Sequence, residues 1–125
     1  MPRDAITSDK LPPSPGPFSV GVRAGELIFL SGQVGTDPHT DALVHGGVAE
    51  QTEQAIHNLA AVLEAAGRTL DDVVRVGVYL TDIGNFAAMN EVYAHHFSAP
   101  YPARTTIGVA ALPLGALVEI DLVAR

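Results

Sequence analysis

The stretch VAEQTEQAIHNLAAVLEAAGRTLDDVVRVGVYL, residues 48–80, contains the change of period that decides the fold class. Val48, Ala55, Ile56, Leu59, Val62, Leu63 and Ala66 fall on one helical stripe, while Glu50, Glu53, Gln54, His57 and Glu64 fall outside it. The spacing predicts a helix over 48–66. Gly67 is its natural stop, because glycine past the last turn adopts the left-handed conformation without a Cβ clash. After TLDD, the run VVRVGVYL (73–80) is rich in β-branched residues and reads as a strand.

Working outward, FSVGVRAGELIFLSGQVG (18–35) alternates at Phe18, Val20 and Val22, turns at Gly25 and continues as the apolar run Leu27–Leu30, a β-hairpin. TDPHTDALVHGG (36–47) is a loop. Beyond residue 80, TDIGNF is a turn with Asp82 or Asn85 as cap, and 86–97 reads as a second helix with Phe86, Met89, Tyr93 and Phe97 at helical spacing. SAPYPA breaks it, and two closing strands follow at about 104–110 and 116–123, joined by ALPLG. Pro2, Pro12 and Pro13 among polar residues predict a loosely ordered arm over 1–14. The order ββαβαββ, without internal repeat or linker, predicts a single α+β domain over 1–125, with two helices on one face of one sheet. The other face still carries Val, Leu and Ala, and a second copy of the chain is the simplest cover for it.

Composition points the same way. A hydrophobic fraction of 47% and a mean hydropathy of +0.23 are high for a small chain that hides its apolar surface alone. No cysteine is present, which excludes disulfides, thiolate nucleophiles and cysteine metal sites. Seven basic against fourteen acidic residues give a net charge of −7, which disfavours nucleic acid as a partner, because phosphate neutralisation needs clustered Lys and Arg. MPRDAITSDK does not read as a secretory signal, no apolar run is long enough to span a membrane, and the expected compartment is the cytoplasm.

Within PYPARTTIGVAALP (100–113), a strand of small and apolar residues opens on Arg104, one of only six arginines. If the last two strands pair, putting Ile107 and Val109 with Val118 and Ile120 on a buried face places Arg104, Thr106 and Glu119 together on the opposite face. Two readings of that spot are open. One is a structural ion pair. In the other, Arg104 forks onto a ligand carboxylate while Glu119 handles a proton or a water.

The segments GPFS, SGQVGTDP, VAEQTEQAIHNLAAVLEAAG, TLDDVVRVGVYLTDIGNFAAMNEVYAHHF and PYPARTTIGVAALPLGALVEIDLVA resemble, in order and spacing over residues 14–125, the RidA/YjgF family of reactive-intermediate deaminases, formerly called L-PSP endoribonucleases. The resemblance implies a chorismate-mutase-like homotrimer with three clefts between subunits. It also implies hydrolysis of enamine or imine intermediates, typically 2-aminoacrylate, with no metal or organic cofactor. Arg104 matches the arginine that binds the substrate carboxylate, and Glu119 the glutamate that positions the attacking water. Ser31 and Gly32 match the SGQ lining of the cleft, Asn90 the asparagine of MNEVY, and Thr106 a main-chain contact often made by Cys. Phe18 departs from the family's GPYS: it keeps the ring and loses a hydroxyl. Competing readings are a deaminase of a different imine, a non-catalytic metabolite-binding trimer and, least favoured by the charge, an endoribonuclease.

The other polar residues read as ordinary surface or core. His95 and His96 are adjacent on a helix and point apart, which disfavours a shared metal, and His39, His45 and His57 read as surface. Tyr93, Phe97 and Met89 read as core, and Tyr101 as either a lid or a packing residue. Ser31 has no His–Asp partners in sequence.

Overall fold

The computed structural model describes residues 2–125. The helical stripe of the opening stretch becomes α1 (Val48–Ala65), and its β-branched run becomes β4 (Val73–Leu80). Around them lie β1 (Asp4–Ile6), β2 (Gly21–Ala24), β3 (Leu27–Val34), α2 (Phe86–His96), β5 (Ala103–Gly108) and β6 (Val118–Ala124). The strands make one six-stranded sheet in the order β1-β2-β3-β6-β4-β5, antiparallel everywhere except between β4 and β5. Both helices pack on one face, so the architecture is α+β. The N-terminal arm carries a short strand, β1, added to the edge of the hairpin.

The core lies between the sheet and α1. Ala55, Ile56, Leu59, Val62 and Leu63 are completely buried against Ile28, Val76, Val78, Val118 and Ile120. Each of the larger side chains is worth ~1.5–3 kcal/mol over exposure. Three polar residues share this inner face: Gln51, Thr52 and Asn58. Asn58 donates from Nδ2 to the Thr36 carbonyl at 2.9 Å, and Gln51 Oε1 accepts from the Leu117 N–H at 2.8 Å. They fasten the loop after β3 and the entry to β6 to the helix, supplying partners that buried backbone groups need. At Gly35 an added Cβ would stand 2.6 Å from the Gln51 carbonyl oxygen, so only glycine lets α1 approach the strand end this closely.

The pairing of the last two strands is not the expected one. β5 and β6 are separated by β4, because β4-α2-β5 is a crossover that lays β5 parallel beside β4, at the sheet edge. The chain then passes through a short 3-10 turn at Pro113–Gly115 and enters between β3 and β4 as β6. A hairpin between them would have needed one short turn, whereas nine residues separate the strands.

Parity across the sheet is corrected with it. Arg104 pairs with Val76 and Thr106 with Val78, while Val78 also pairs with Ile120. Arg104 and Thr106 therefore share the helix-covered face with Val118 and Ile120. Glu119 pairs with Tyr79 and lies on the open face with Asp121 and Ile107. Ile107, expected inside, is 44% exposed there.

Candidate functional site

The sequence candidates form two groups on opposite faces of the sheet. The first gathers around Arg104 where α2 overlies the edge strand β5. Its guanidinium carbon lies 4.6 Å from the centroid of the Tyr93 ring and 5.6 Å from that of Phe86. Such placement attracts a cation to the ring faces and holds the fork in one orientation. Arg75 donates to Thr105 Oγ1, Arg23 to the Ala66 carbonyl, and Arg125 pairs with Glu26. Arg104 has no carboxylate partner among the described residues. Asn90, Tyr93, Ala94, Tyr101 and Pro102 complete a small pocket around it.

Polar capacity in this corner is left unused. The Thr106 Oγ1 and the Tyr93 hydroxyl are buried and make no hydrogen bond of normal geometry. Unpaired buried polar atoms cost stability unless something binds them. Burial pushes the Tyr93 phenol up, with the Arg104 charge pulling the other way. The hydroxyl stays neutral, and the Arg104 guanidinium is near enough to donate toward it.

The second group centres on Glu119. The β3–β6 ladder shifts register between Leu30 and Gln33, so Ser31 and Gly32 sit in a bulge facing the closing strand. A Cβ at Gly32 would lie 2.8 Å from Glu119 Cδ, which means the carboxylate rests directly over the bare glycine backbone. Ser31 donates its N–H to the Val20 carbonyl at 2.9 Å and its Oγ to the Ser19 carbonyl at 2.6 Å. The segment carrying Phe18 is thereby tied to the bulge, although the Phe18 ring itself is 52% exposed beside the N-terminal arm. Desolvation by burial, then the nearby Asp121 charge, raise the Glu119 pKa above the ordinary carboxylate value. Asp121 is engaged by the Tyr79 hydroxyl, which donates to it at 3.0 Å.

Arg104 and Asn90 are thus together, with Thr106 two residues along on the same strand face, and Glu119, Gly32 and Ser31 are together. One chain does not bring the two groups to one spot. Three contributors went unforeseen as site residues: Tyr93 read as core, Phe86 as part of a helical stripe, and Asp121, which was given no role. The alternation of Glu119 and Asp121 along β6 was the available signal for the last.

The family described as Endoribonuclease L-PSP matches residues 8–125. The chain belongs to this family, the RidA/YjgF family. It is 43% identical over 122 residues to the human protein named 2-iminobutanoate/2-iminopropanoate deaminase, covering 98% of this chain and 89% of that one. The crystal structure of RidA from the Antarctic bacterium Psychrobacter superposes with a TM-score of 0.93 at 44% identity, over 98% of each chain. The structure of E. coli TdcF with bound serine has a TM-score of 0.89 at 34% identity, over 97% of each chain.

Proposed function

We propose that this RidA family member hydrolyses small carboxylate-bearing enamines and imines of the 2-aminoacrylate type to a 2-oxo acid and ammonia. It acts as a homotrimer whose sites lie between subunits and uses no metal or organic cofactor. The observation that carries this reading is the separation of Arg104 from Glu119. Each has the surroundings of a working group, and only a second copy supplies one to the other. The exposed apolar side chains of the open face, Leu27, Phe29 and Ile107, give the copies a surface to bury. The names of the relatives support the reaction class.

In this site the Arg104 fork holds the substrate carboxylate through two charge-assisted hydrogen bonds. Tyr93 and Asn90 line the same pocket and offer polar groups to the substrate. The enamine tautomerises to the imine, and water then adds to the C=N carbon. Glu119 takes a proton from that water as the C–O bond forms and passes it to the imine nitrogen, giving the carbinolamine. It then takes the hydroxyl proton as the C=O bond forms and returns it to nitrogen as the C–N bond breaks, releasing ammonia. A carboxylate with a raised pKa is a stronger base and a better proton donor near neutrality than an ordinary one. No covalent intermediate is needed, since the reaction already proceeds in water and the protein supplies orientation and one proton-handling group.

The test is pyruvate release from 2-aminoacrylate generated in situ by a serine dehydratase. Release faster than the spontaneous rate, lost in Arg104→Ala, supports the assignment; wild-type protein that leaves the rate unchanged overturns it. Light scattering should give about three times the 13.0 kDa chain mass, and a monomer would remove the shared site. A second reading, a metabolite-binding trimer without turnover, draws on the missing hydroxyl at Phe18 and on the serine held by TdcF. It predicts calorimetric binding of a small amino acid or 2-oxo acid with no acceleration.

A further inference from the structure

Away from both groups, where the outer surface of α1 meets the end of α2, Glu53, His57 and His96 converge. One ligating atom from each lies within 4.8 Å of the others. Glu53 and His57 are one helical turn apart on α1, and His96 is the last residue of α2. Glu53 Oε2 contacts His96 Nε2, and Glu53 Oε1 is 3.8 Å from His57 Nε2. The two imidazole rings meet edge to face, with centroids 5.6 Å apart and planes at 87°. His95, the neighbour of His96 in sequence, is exposed and outside the cluster. Yet His96 is not the solvated helix-end residue expected: its side chain is only 18% exposed and turns toward α1.

We propose that Glu53, His57 and His96 form a site for a borderline divalent transition metal, with Zn²⁺ as the reference ion. Two imidazole nitrogens and a carboxylate oxygen suit Zn²⁺ and disfavour Mg²⁺ or Ca²⁺, which take mostly oxygen ligands. Tetrahedral bonds of ~2.0–2.2 Å set neighbouring ligand atoms ~3.3–3.6 Å apart, so small side-chain rotations close the triad around an ion. Glu53 offers an oxygen to each histidine, and its contact with His96 already gathers ligands from two helices. The His57 side chain is 57% exposed, which leaves an approach and a fourth position for water. Coordination requires the lone pair of each Nε2, so any proton there moves to Nδ1 or to solvent. The ion would pin the end of α2 to α1, and α2 carries Asn90 and Tyr93 to the Arg104 pocket.

The experiment uses tag-free, full-length protein, stripped with chelator, dialysed and then titrated with ZnCl₂. Bound zinc per chain is measured by metal mass spectrometry and the unfolding midpoint by calorimetry. The expected result is one zinc per chain with a raised midpoint, while MgCl₂ leaves the midpoint unmoved. Loss of a direct ligand in His57→Ala should weaken uptake by at least the ~10–100-fold seen when outer partners of metal sites are removed. Because His57 is exposed, its metal-free midpoint should be unchanged. His96→Gln should also lose uptake, and His95→Gln should keep it. No uptake by wild type overturns the proposal and leaves an interhelical hydrogen bond. Uptake that survives both His57→Ala and His96→Gln overturns it equally.

Discussion

The two faces of the sheet treat charge in opposite ways. On the helix-covered face Arg104 is oriented by packing: Tyr93 and Phe86 hold the guanidinium while its hydrogen-bonding fork stays unclaimed by a carboxylate. On the open face Glu119 lies over Gly32 beside Asp121, where partial burial and a like charge make its ionised form costly. In the proposed reaction one face binds an anion and the other moves a proton. On that reading, presenting the two on opposite sides of one sheet separates binding from chemistry. Association with another copy is how they are proposed to meet.

The largest effects should come from breaking either half and then mixing the halves. Glu119→Gln should lower kcat by ~10²–10⁴-fold, the range for a positioned acid–base group, with KM little changed. Arg104→Ala loses charge-assisted bonds of ~1.5–3 kcal/mol each, so kcat/KM should fall by ~10²-fold or more. Co-refolding equal amounts of the two variants should restore about a quarter of wild-type activity, because a random closed ring places an intact Arg104 and an intact Glu119 in that share of its interfaces. Activity that stays at the single-variant level after mixing would show that both residues must act from one chain.

Glu119 also makes a signed prediction for pH. Its folded-state value lies above the unfolded carboxylate value, so the folded chain holds the proton more readily. Stability tied to this group is fully present below the unfolded value and is lost as pH rises through the raised one. Glu119→Gln should therefore raise the unfolding midpoint slightly at neutral pH and not at pH 4 or below. In the rate profile, the acid limb should sit above the ordinary carboxylate range and disappear in the same variant.

Much of this contrast was legible in the sequence, and the part that was not has a physical reason. The change of period at residues 48–80 gave α1 and β4, and the apolar run at Leu27–Leu30 gave the hairpin strand, because local periodicity reflects burial. Arg104 stood out as the one charge of β5, and Glu119 as an acid in the otherwise largely apolar β6. Their faces were misassigned because strand order is a long-range property. Parity between Ile107 and Ile120 holds only if their strands are neighbours, and β4 lies between them. Since a crossover helix precedes β5, the parallel pairing with β4 was the available cue. Buried Asn58 and Gln51 were equally hidden, because a polar residue on an inner face is explained only by the backbone group it meets.

Gly32→Ala sharpens the comparison at intermediate size. The new Cβ would meet Glu119 Cδ at 2.8 Å and Cγ at 3.1 Å, atoms of a side chain that can swing away. The fold should tolerate it, with a midpoint near wild type, while the displaced carboxylate costs roughly tenfold or more in kcat. Gly35→Ala is the contrasting case, since its Cβ would meet Gln51 backbone atoms at 2.6 and 2.7 Å, which cannot move independently. Overpacking there should cost about 1–3 kcal/mol of stability. Equal midpoints for the two variants would mean that α1 is not seated as described.

The smallest effect expected is that of Phe18→Tyr, and it asks which face the N-terminal segment serves. Phe18 is 52% exposed, so a hydroxyl on its ring should leave the unfolding midpoint unchanged. Its backbone neighbours Ser19 and Val20 are bonded to Ser31, so the ring travels with the bulge next to Glu119 rather than with the Arg104 pocket. A new hydrogen bond of ~0.5–1.5 kcal/mol in the transition state would raise the 2-aminoacrylate rate by about two- to tenfold. Because the gain belongs to the Glu119 side, it should shrink in the Gly32→Ala background, where the carboxylate has moved, as expected for neighbours that share a partner. A gain that persists unchanged beside Gly32→Ala but vanishes beside Arg104→Ala would assign the segment to the anion-binding half. The division of labour between the two faces would then have to be redrawn with residue 18 on the other side.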